Sequence, residues 1–203
     1  MPKVKIKRKS TAIDMTAMCD VSFLLLTFFI LTATAKQPEP LPVDIPSSTV
    51  TIKLPDTDIS TITVGQGKVF FGVVGQDVRR NALQRMGEQY GITFTDQEKL
   101  RFSLIESFGV PISSLKEFIA MDGAKRDKVE QPGIPVDTTD NSELKQWVLQ
   151  SRYAVKELHG QELRFSIKGD SKEEYPAIRT VIDVLQDQNI NKFSLITSLE
   201  GLD

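Results

Sequence analysis

Apolar residues are distributed along this chain in two different ways. From Ala17 to Ala35 the sequence reads AMCDVSFLLLTFFILTATA, nineteen residues that are apolar on every face of a helix and hold one charged side chain, Asp20. At about 1.5 Å per residue the run covers roughly 28 Å, close to the hydrocarbon thickness that about 20 helical residues span. Further along, the apolar positions become periodic. Ser60–Val64 and Lys68–Val74 gather β-branched and aromatic residues around Gly65-Gln66-Gly67, which predicts a hairpin. Leu144, Trp147, Val148, Ser151 and Val155 then share one helical face down to Leu158, with Asn141 or Ser142 as the cap. Leu163–Lys168 reads as a strand, Pro176 suits the first turn of a helix that packs Ile178, Ile182 and Leu185, and Lys192–Ser198 reads as a closing strand. The order ββαβαβ predicts a small α/β two-layer sandwich, so the whole chain is α+β with one apolar helix ahead of the sandwich.

Two segments fall outside that order. Residues 36–49, KQPEPLPVDIPSST, carry Pro38, Pro40, Pro42 and Pro46, a composition that favours an extended, semi-rigid linker. Val50–Leu54 after it is either a short strand open to pairing with another chain or more linker. Residues 76–138 form a helical insertion in which Thr95 or Asp96 caps a helix carrying Leu100, Leu104, Ile105 and Phe108. Ser113 or Ser114 caps a second one carrying Leu115, Phe118, Ile119 and Met121. These apolar faces either pack on the sheet and on each other or present a surface to a partner.

Composition by itself describes an ordinary globular chain. Its 203 residues, 40% hydrophobic and 26% charged, exclude a collagen, a low-complexity chain and a polytopic membrane protein. The single cysteine, Cys19, forms no internal disulfide and reads as a small apolar filler. Charge changes the picture, because the net −2 is an average of unlike parts. Residues 1–35 hold Lys3, Lys5, Lys7, Arg8 and Lys9 against Asp14 and Asp20, which leaves 20 basic and 25 acidic side chains in residues 36–203. A basic head before an apolar run places the N-terminus in the cytoplasm by the positive-inside rule. The reading is then a cytoplasmic tail at 1–15, a transmembrane helix at 16–35, a linker at 36–49 and a domain at 50–203 across the membrane.

A cleaved secretory signal also fits residues 1–35, with Ala33-Thr34-Ala35 as an A-x-A site before Lys36 and a soluble periplasmic binding protein as the product. A buried helix of a soluble domain fits less well, since so basic a leader suits lipid better than a core. Neither accounts for Asp20. An ionised carboxylate in a spanning helix costs about 2.5–3.5 kcal/mol, while the membrane potential is worth about 2.3 kcal/mol per charge per 100 mV. The two are similar in size, so a proton gradient is able to drive such a group between its charged and neutral states. Thr16, Asp20, Thr27 and Thr34 fall on one helical stripe. The stripe is either a helix–helix seam or a set of hydroxyls bonding their own backbone one turn back. Asp14 lies on another face, nearer the basic head, as a boundary residue.

The stretch Ile13-Asp14-Met15-Thr16-Ala17-Met18-Cys19-Asp20-Val21 resembles the start of the ExbD/TolR family, in which an Asn-x-Thr-Pro-like sequence leads to an essential Asp-Val pair entering a single transmembrane helix. Asp14 stands where the family has Asn and Ala17 where it has Pro. Glu162–Asp170, Tyr175, Val181–Leu185 and Ile190–Thr197 are similar to the family's closing strand, helix and strand, and Val43–Val74 to its opening ones. The resemblance implies an uncleaved helix, a proton-carrying role for Asp20, an inner-membrane location with a periplasmic domain, and a compact domain lacking residues 76–138. It also implies partners: an ExbB-like pentamer around a homodimer of these helices, and a TonB-like protein that energises outer-membrane transport, with a TolR-like role in envelope constriction as the alternative. A flagellar-stator subunit of the MotB kind fits the C-terminal half less well.

Other chemistry lacks its parts. There is no Walker sequence, no complete G-x-G-x-x-G, no C-x-x-C and no second histidine beside His159, so no cofactor, metal or hydrolase or transferase chemistry is expected. His159, before Gly160, reads as a helix-end or solvent-exposed residue. Gly169-Asp170-Ser171 reads as a turn. Lys125-Arg126-Asp127-Lys128 reads as a solvated loop and not as a nucleic-acid patch.

Overall fold

The computed structural model describes residues 15–33, 39–48, 57–126, 128–136, 142–170, 175–196 and 198–199. The chain forms two compact units, Met1–Gln37 and Pro38–Asp203.

The described part of the first unit is one helix, α1 (Met15–Thr32), with none of its residues buried. It contains neither Gly nor Pro. Its backbone groups are therefore paired internally, which is what a segment surrounded by hydrocarbon requires.

In the second unit, β2 (Ile59–Gly65) and β3 (Lys68–Val73) form the predicted hairpin, following the short β1 (Ser47–Ser48). Gly65 pairs with Lys68, leaving Gln66 (φ 55°) and Gly67 (φ 69°) as a two-residue loop. Two successive positive φ angles are the signature of the turn that matches strand twist, and Gly supplies one without a Cβ penalty. Four helices surround the next strand: α2 (Gln76–Tyr90), α3 (Asp96–Ser103), β4 (Ser107–Phe108), α4 (Ile112–Ala120) and the single turn α5 (Gly123–Arg126). The chain then runs through α6 (Glu143–His159), β5 (Arg164–Gly169), α7 (Tyr175–Asp187), β6 (Phe193–Leu195) and β7 (Ser198–Leu199). The main sheet has the order β4-β3-β2-β5-β6, with β5 parallel to both β2 and β6. β1 and β7 pair separately and in parallel.

Alternation along the strands decides the layers. Ile62, Val64, Phe71, Phe165 and Ile167 enter one core with Trp147, Val148 and Val155 of α6 and with Val181, Val184 and Leu185 of α7. Thr61 and Ser166, which share the other sheet face, join their hydroxyls at 3.0 Å. Trp147 is the centre of the aromatic packing, stacked on Phe102 at 5.9 Å and edge-on to Phe108 at 4.8 Å, with Phe71 at 6.2 Å.

Phe102 and Phe108 belong to residues 76–138, as do Leu115, Phe118 and Ile119, and all five are part of that same core. Their apolar faces are thus covered by packing within the domain. Details of this segment differ from the sequence expectation. Thr95 does cap α3, in a reciprocal capping box with Glu98. The helix stops at Ser103, however, so Leu100 and Leu104 are 52% and 54% exposed, while Phe102 is the residue turned inward and Phe108 lies on β4. At α4 neither Ser113 nor Ser114 caps; the first N–H, of Ile112, donates to the Glu143 carboxylate at 2.9 Å, a partner 31 residues away. The polar α2 had no counterpart in the sequence reading. Its buried residues Val78, Ala82, Leu83 and Met86 nonetheless follow a helical period.

Elsewhere Leu158, expected on the buried face of α6, is 43% exposed. Lys125 and Arg126, expected in a loop, form the α5 turn, where Arg126 lies over the Phe118 ring at 5.9 Å. Residues 39–46 carry no helix or strand, but Leu41 is buried and Glu39 pairs with Lys168 on β5. Val50–Leu54 lies outside the described residues.

Candidate functional site

Two groups of side chains stand out, one in each unit. In α1, Asp20 is the only charged residue among Met15–Thr32. The described residues offer its carboxyl no hydrogen bond or ion pair. At 100° per residue, Thr16, Asp20 and Thr27 fall on one stripe of this helix. The Thr27 hydroxyl donates to the Leu24 carbonyl at 2.9 Å, and Thr32, on a different face, donates to Phe28 at 2.8 Å. This back-bonding satisfies the hydroxyls locally. It leaves the carboxyl as the polar group of the stripe without a local partner. Asp14 and Thr34 lie outside the described residues. Cys19 is a free, exposed thiol.

In the second unit the structure assembles a cluster that the sequence did not suggest. His159, the last residue of α6, is clasped between two carboxylates: Nδ1 contacts Asp58, and Nε2 lies 3.0 Å from Asp77 Oδ2. Asp77 stands in the first turn of α2 and Asp58 just before β2, so one imidazole joins three elements. Helix ends favour this arrangement, with an acid at an N-terminus and a cation at a C-terminus. Gly160 makes it possible by taking the left-handed conformation (φ 67°) that ends α6, its N–H donating to Lys156. Asp58 itself has φ 56°, and its carbonyl accepts from the Arg164 N–H at 2.9 Å.

With a carboxylate at each nitrogen, the doubly protonated ring is the form in which both contacts are donor to acceptor. The bonds to Asp58 and Asp77 accordingly raise the His159 pKa above its ordinary value. The bond to His159 lowers that of Asp77. Close by, Arg79 is buried, its Nε donating to the Ser103 carbonyl at 2.8 Å and Nη1 to that of Val73 at 3.1 Å. Burial pulls its pKa down, and the charges of Glu106 and Asp77 oppose that. Asp77 therefore faces cations on two sides.

A helix-end position was legible for His159, but its two acids lie 101 and 82 residues away, and no local pattern points to them. Asp170 N–H donates to Val64 at 3.0 Å, which ties the Gly169-Asp170 corner to β2. Among the described residues no group of three or more His, Cys, Asp or Glu is arranged to hold a metal ion. The clasp fastens three elements together, whereas the Asp20 carboxyl has no such partner among the described residues.

Neither curated proteins nor solved structures gave a match. A family model described as biopolymer transport protein ExbD/TolR matches residues 7–200, taking in Lys7, Arg8 and Lys9 of the basic head, α1 with Asp20, and the domain through β7. The apolar N-terminal helix, the mixed sheet with its helices and this nearly full-length match agree, and the chain belongs to the ExbD/TolR family.

Proposed function

We propose that the chain is the ExbD-like subunit of a proton-driven motor in the bacterial inner membrane. Asp20 takes up a proton, loses its charge and changes its preferred contacts with the helices of an ExbB-like channel; release on the other side restores them. A carboxyl group shifts such an equilibrium only through contacts that differ between its two states. The observation that carries this reading is the solitary carboxyl in an otherwise uncharged helix that has no buried residue and is long enough to cross a membrane. Its partner has to come from another chain or from water. In this reading α1 crosses once with the basic head in the cytoplasm, two copies act together, and the periplasmic domain passes the motion to a TonB-like protein that energises outer-membrane transport. Thr16, Thr27 and Thr34 line the seam against the channel, with Thr27 alternating between its own backbone and a neighbour.

Asp20→Asn tests the proton role, with Asp14→Asn as the control. The expected result is loss of energy-dependent uptake across the outer membrane at normal protein levels in Asp20→Asn cells only. Retained uptake would sink the proposal. A TolR-like subunit serving envelope constriction predicts the same Asp20 behaviour but a different third partner, so crosslinking the domain in cells and identifying the captured chain separates the two. A mature N-terminus at Lys36 by mass spectrometry would instead support the cleaved periplasmic protein; the family match beginning at residue 7 favours an intact head.

A further inference from the structure

Away from the clasp, the domain has a cavity of about 1150 Å³ bounded by the C-terminal half of α6, the loop leading into β5 and the loop leading into β6. Four cations line it, Arg152 and Lys156 from α6, Arg164 at the start of β5 and Lys192 before β6, against one carboxylate, Glu162. Arg152 donates to the Gln188 carbonyl at 3.1 Å, which orients the guanidinium and leaves its charge uncompensated. The side chains of Lys156, Arg164 and Lys192 have no ion pair or hydrogen bond among the described residues.

Several basic side chains elsewhere on the domain are neutralised by a carboxylate. Lys68 pairs with Glu130, Arg85 with Glu157, Lys145 with Asp187 and Lys168 with Glu39. Acids outnumber bases in residues 36–203, 25 to 20, so carboxylates are plentiful. In this one concavity of an acidic body cations outnumber carboxylates four to one, and walls of low polarizability concentrate the field there.

We propose that this cavity binds an acidic, extended segment of a partner polypeptide. Its volume exceeds the roughly 300–1,000 Å³ of small-molecule pockets, and its cations come from three separate elements instead of converging on a single anion. Between them lie apolar surfaces, the half-exposed Tyr153 and the half-buried Phe193, which suit the apolar residues of a mixed sequence. Complementary charge of this kind sets partner choice and the rate of encounter. The assignment is independent of Asp20, and an Asp20→Asn chain is expected to bind the segment as the unaltered chain does.

The test uses the full chain in phosphatidylcholine nanodiscs, with Lys3, Lys5, Lys7, Arg8 and Lys9 all changed to Gln so that the basic head does not compete. Binding of a short fluorescein-labelled peptide of Glu-Leu-Glu repeats is followed by anisotropy, beside a Gln-Leu-Gln counterpart. The Glu peptide should bind and weaken with added salt, while the Gln peptide should not bind. Reversing two cations together, Arg164→Glu with Lys192→Glu, should weaken binding about tenfold or more, and the conservative pair Arg164→Lys with Lys192→Arg should stay within about twofold. Thermal melts confirm folding; if the reversed pair does not fold, Lys156→Gln with Lys192→Gln replaces it with the same expectation. Equal binding of the two peptides, or equal affinity in the reversed pair, overturns the proposal. So does binding of isolated cell-wall glycan through these cations without binding of the Glu peptide.

Discussion

Asp20 and Asp77 are the same side chain in opposite circumstances. Asp20 sits in an apolar helix that has no buried residue, with no partner among the described residues, whereas Asp77 meets His159 on one side and the charge of Arg79 on the other. A paired carboxylate is satisfied by its own fold, and its removal reads out as stability. A solitary one in an apolar helix contributes nothing to its own chain's packing, so its removal reads out in what the chain does with other molecules. The difference separates a carboxylate satisfied by its own fold from one whose partner has to come from elsewhere.

The most severe test of that contrast is Asp20→Asn, which should abolish energy-dependent uptake while leaving the thermal unfolding of the domain unchanged. A lowered melting temperature in this variant would break the comparison. Next in size is the core around Trp147. Trp147→Ala should cost about 3–5 kcal/mol in denaturant unfolding, by removing the ring that Phe71, Phe102 and Phe108 share. Since two of those rings come from residues 76–138, deleting that segment should leave the domain without cooperative unfolding.

Arg79→Met comes third. It strips the Val73 and Ser103 carbonyls of their buried donor, a loss of about 1–3 kcal/mol measurable by the same unfolding curves. The smallest effect belongs to the clasp, which is partly exposed to solvent. The raised His159 pKa adds stability that is fully present below the unfolded value of 6.5 and disappears as pH rises through the folded value. The lowered Asp77 pKa adds stability present above 3.8 and lost as pH falls below it. Melting temperature should therefore be highest between these limits and decline on the alkaline side, a decline that His159→Gln should flatten. The groups facing the ring are Asp58 and Asp77, with Arg79 beyond Asp77, so Asp77→Asn should remove part of the same pH dependence.

Much of the fold was legible because its signals are local. The Gly65-Gln66-Gly67 turn, the α6 face through Trp147 and Val155, and Pro176 at the head of α7 each follow from a few adjacent residues, and each is found where expected. The misplacements share a cause. Apolar residues continue past Ser103 and extend the sequence pattern of α3 to Phe108, yet only tertiary packing determines that Phe102 turns inward while Leu100 and Leu104 stay exposed. For the N-terminus of α4 the local sequence offers a nearby serine, while the group that satisfies Ile112 comes from Glu143 of another helix. α2 carries a weak sequence signal because charged and amide residues dilute its buried stripe.

The sequence by itself determined the apolar helix, the position of Asp20 within it and the family to which both point, because a lipid-spanning run and a solitary charge are properties of contiguous residues. Tertiary structure alone decided which charges are spent and which are free. The acids that hold His159 lie 101 and 82 residues away, and the cations that face the open cavity come from α6, β5 and the loop before β6. Coulombic and hydrogen-bonding partners are chosen by distance in space, over a few ångströms, and spacing along the chain carries no record of them until the sheet and its helices have closed.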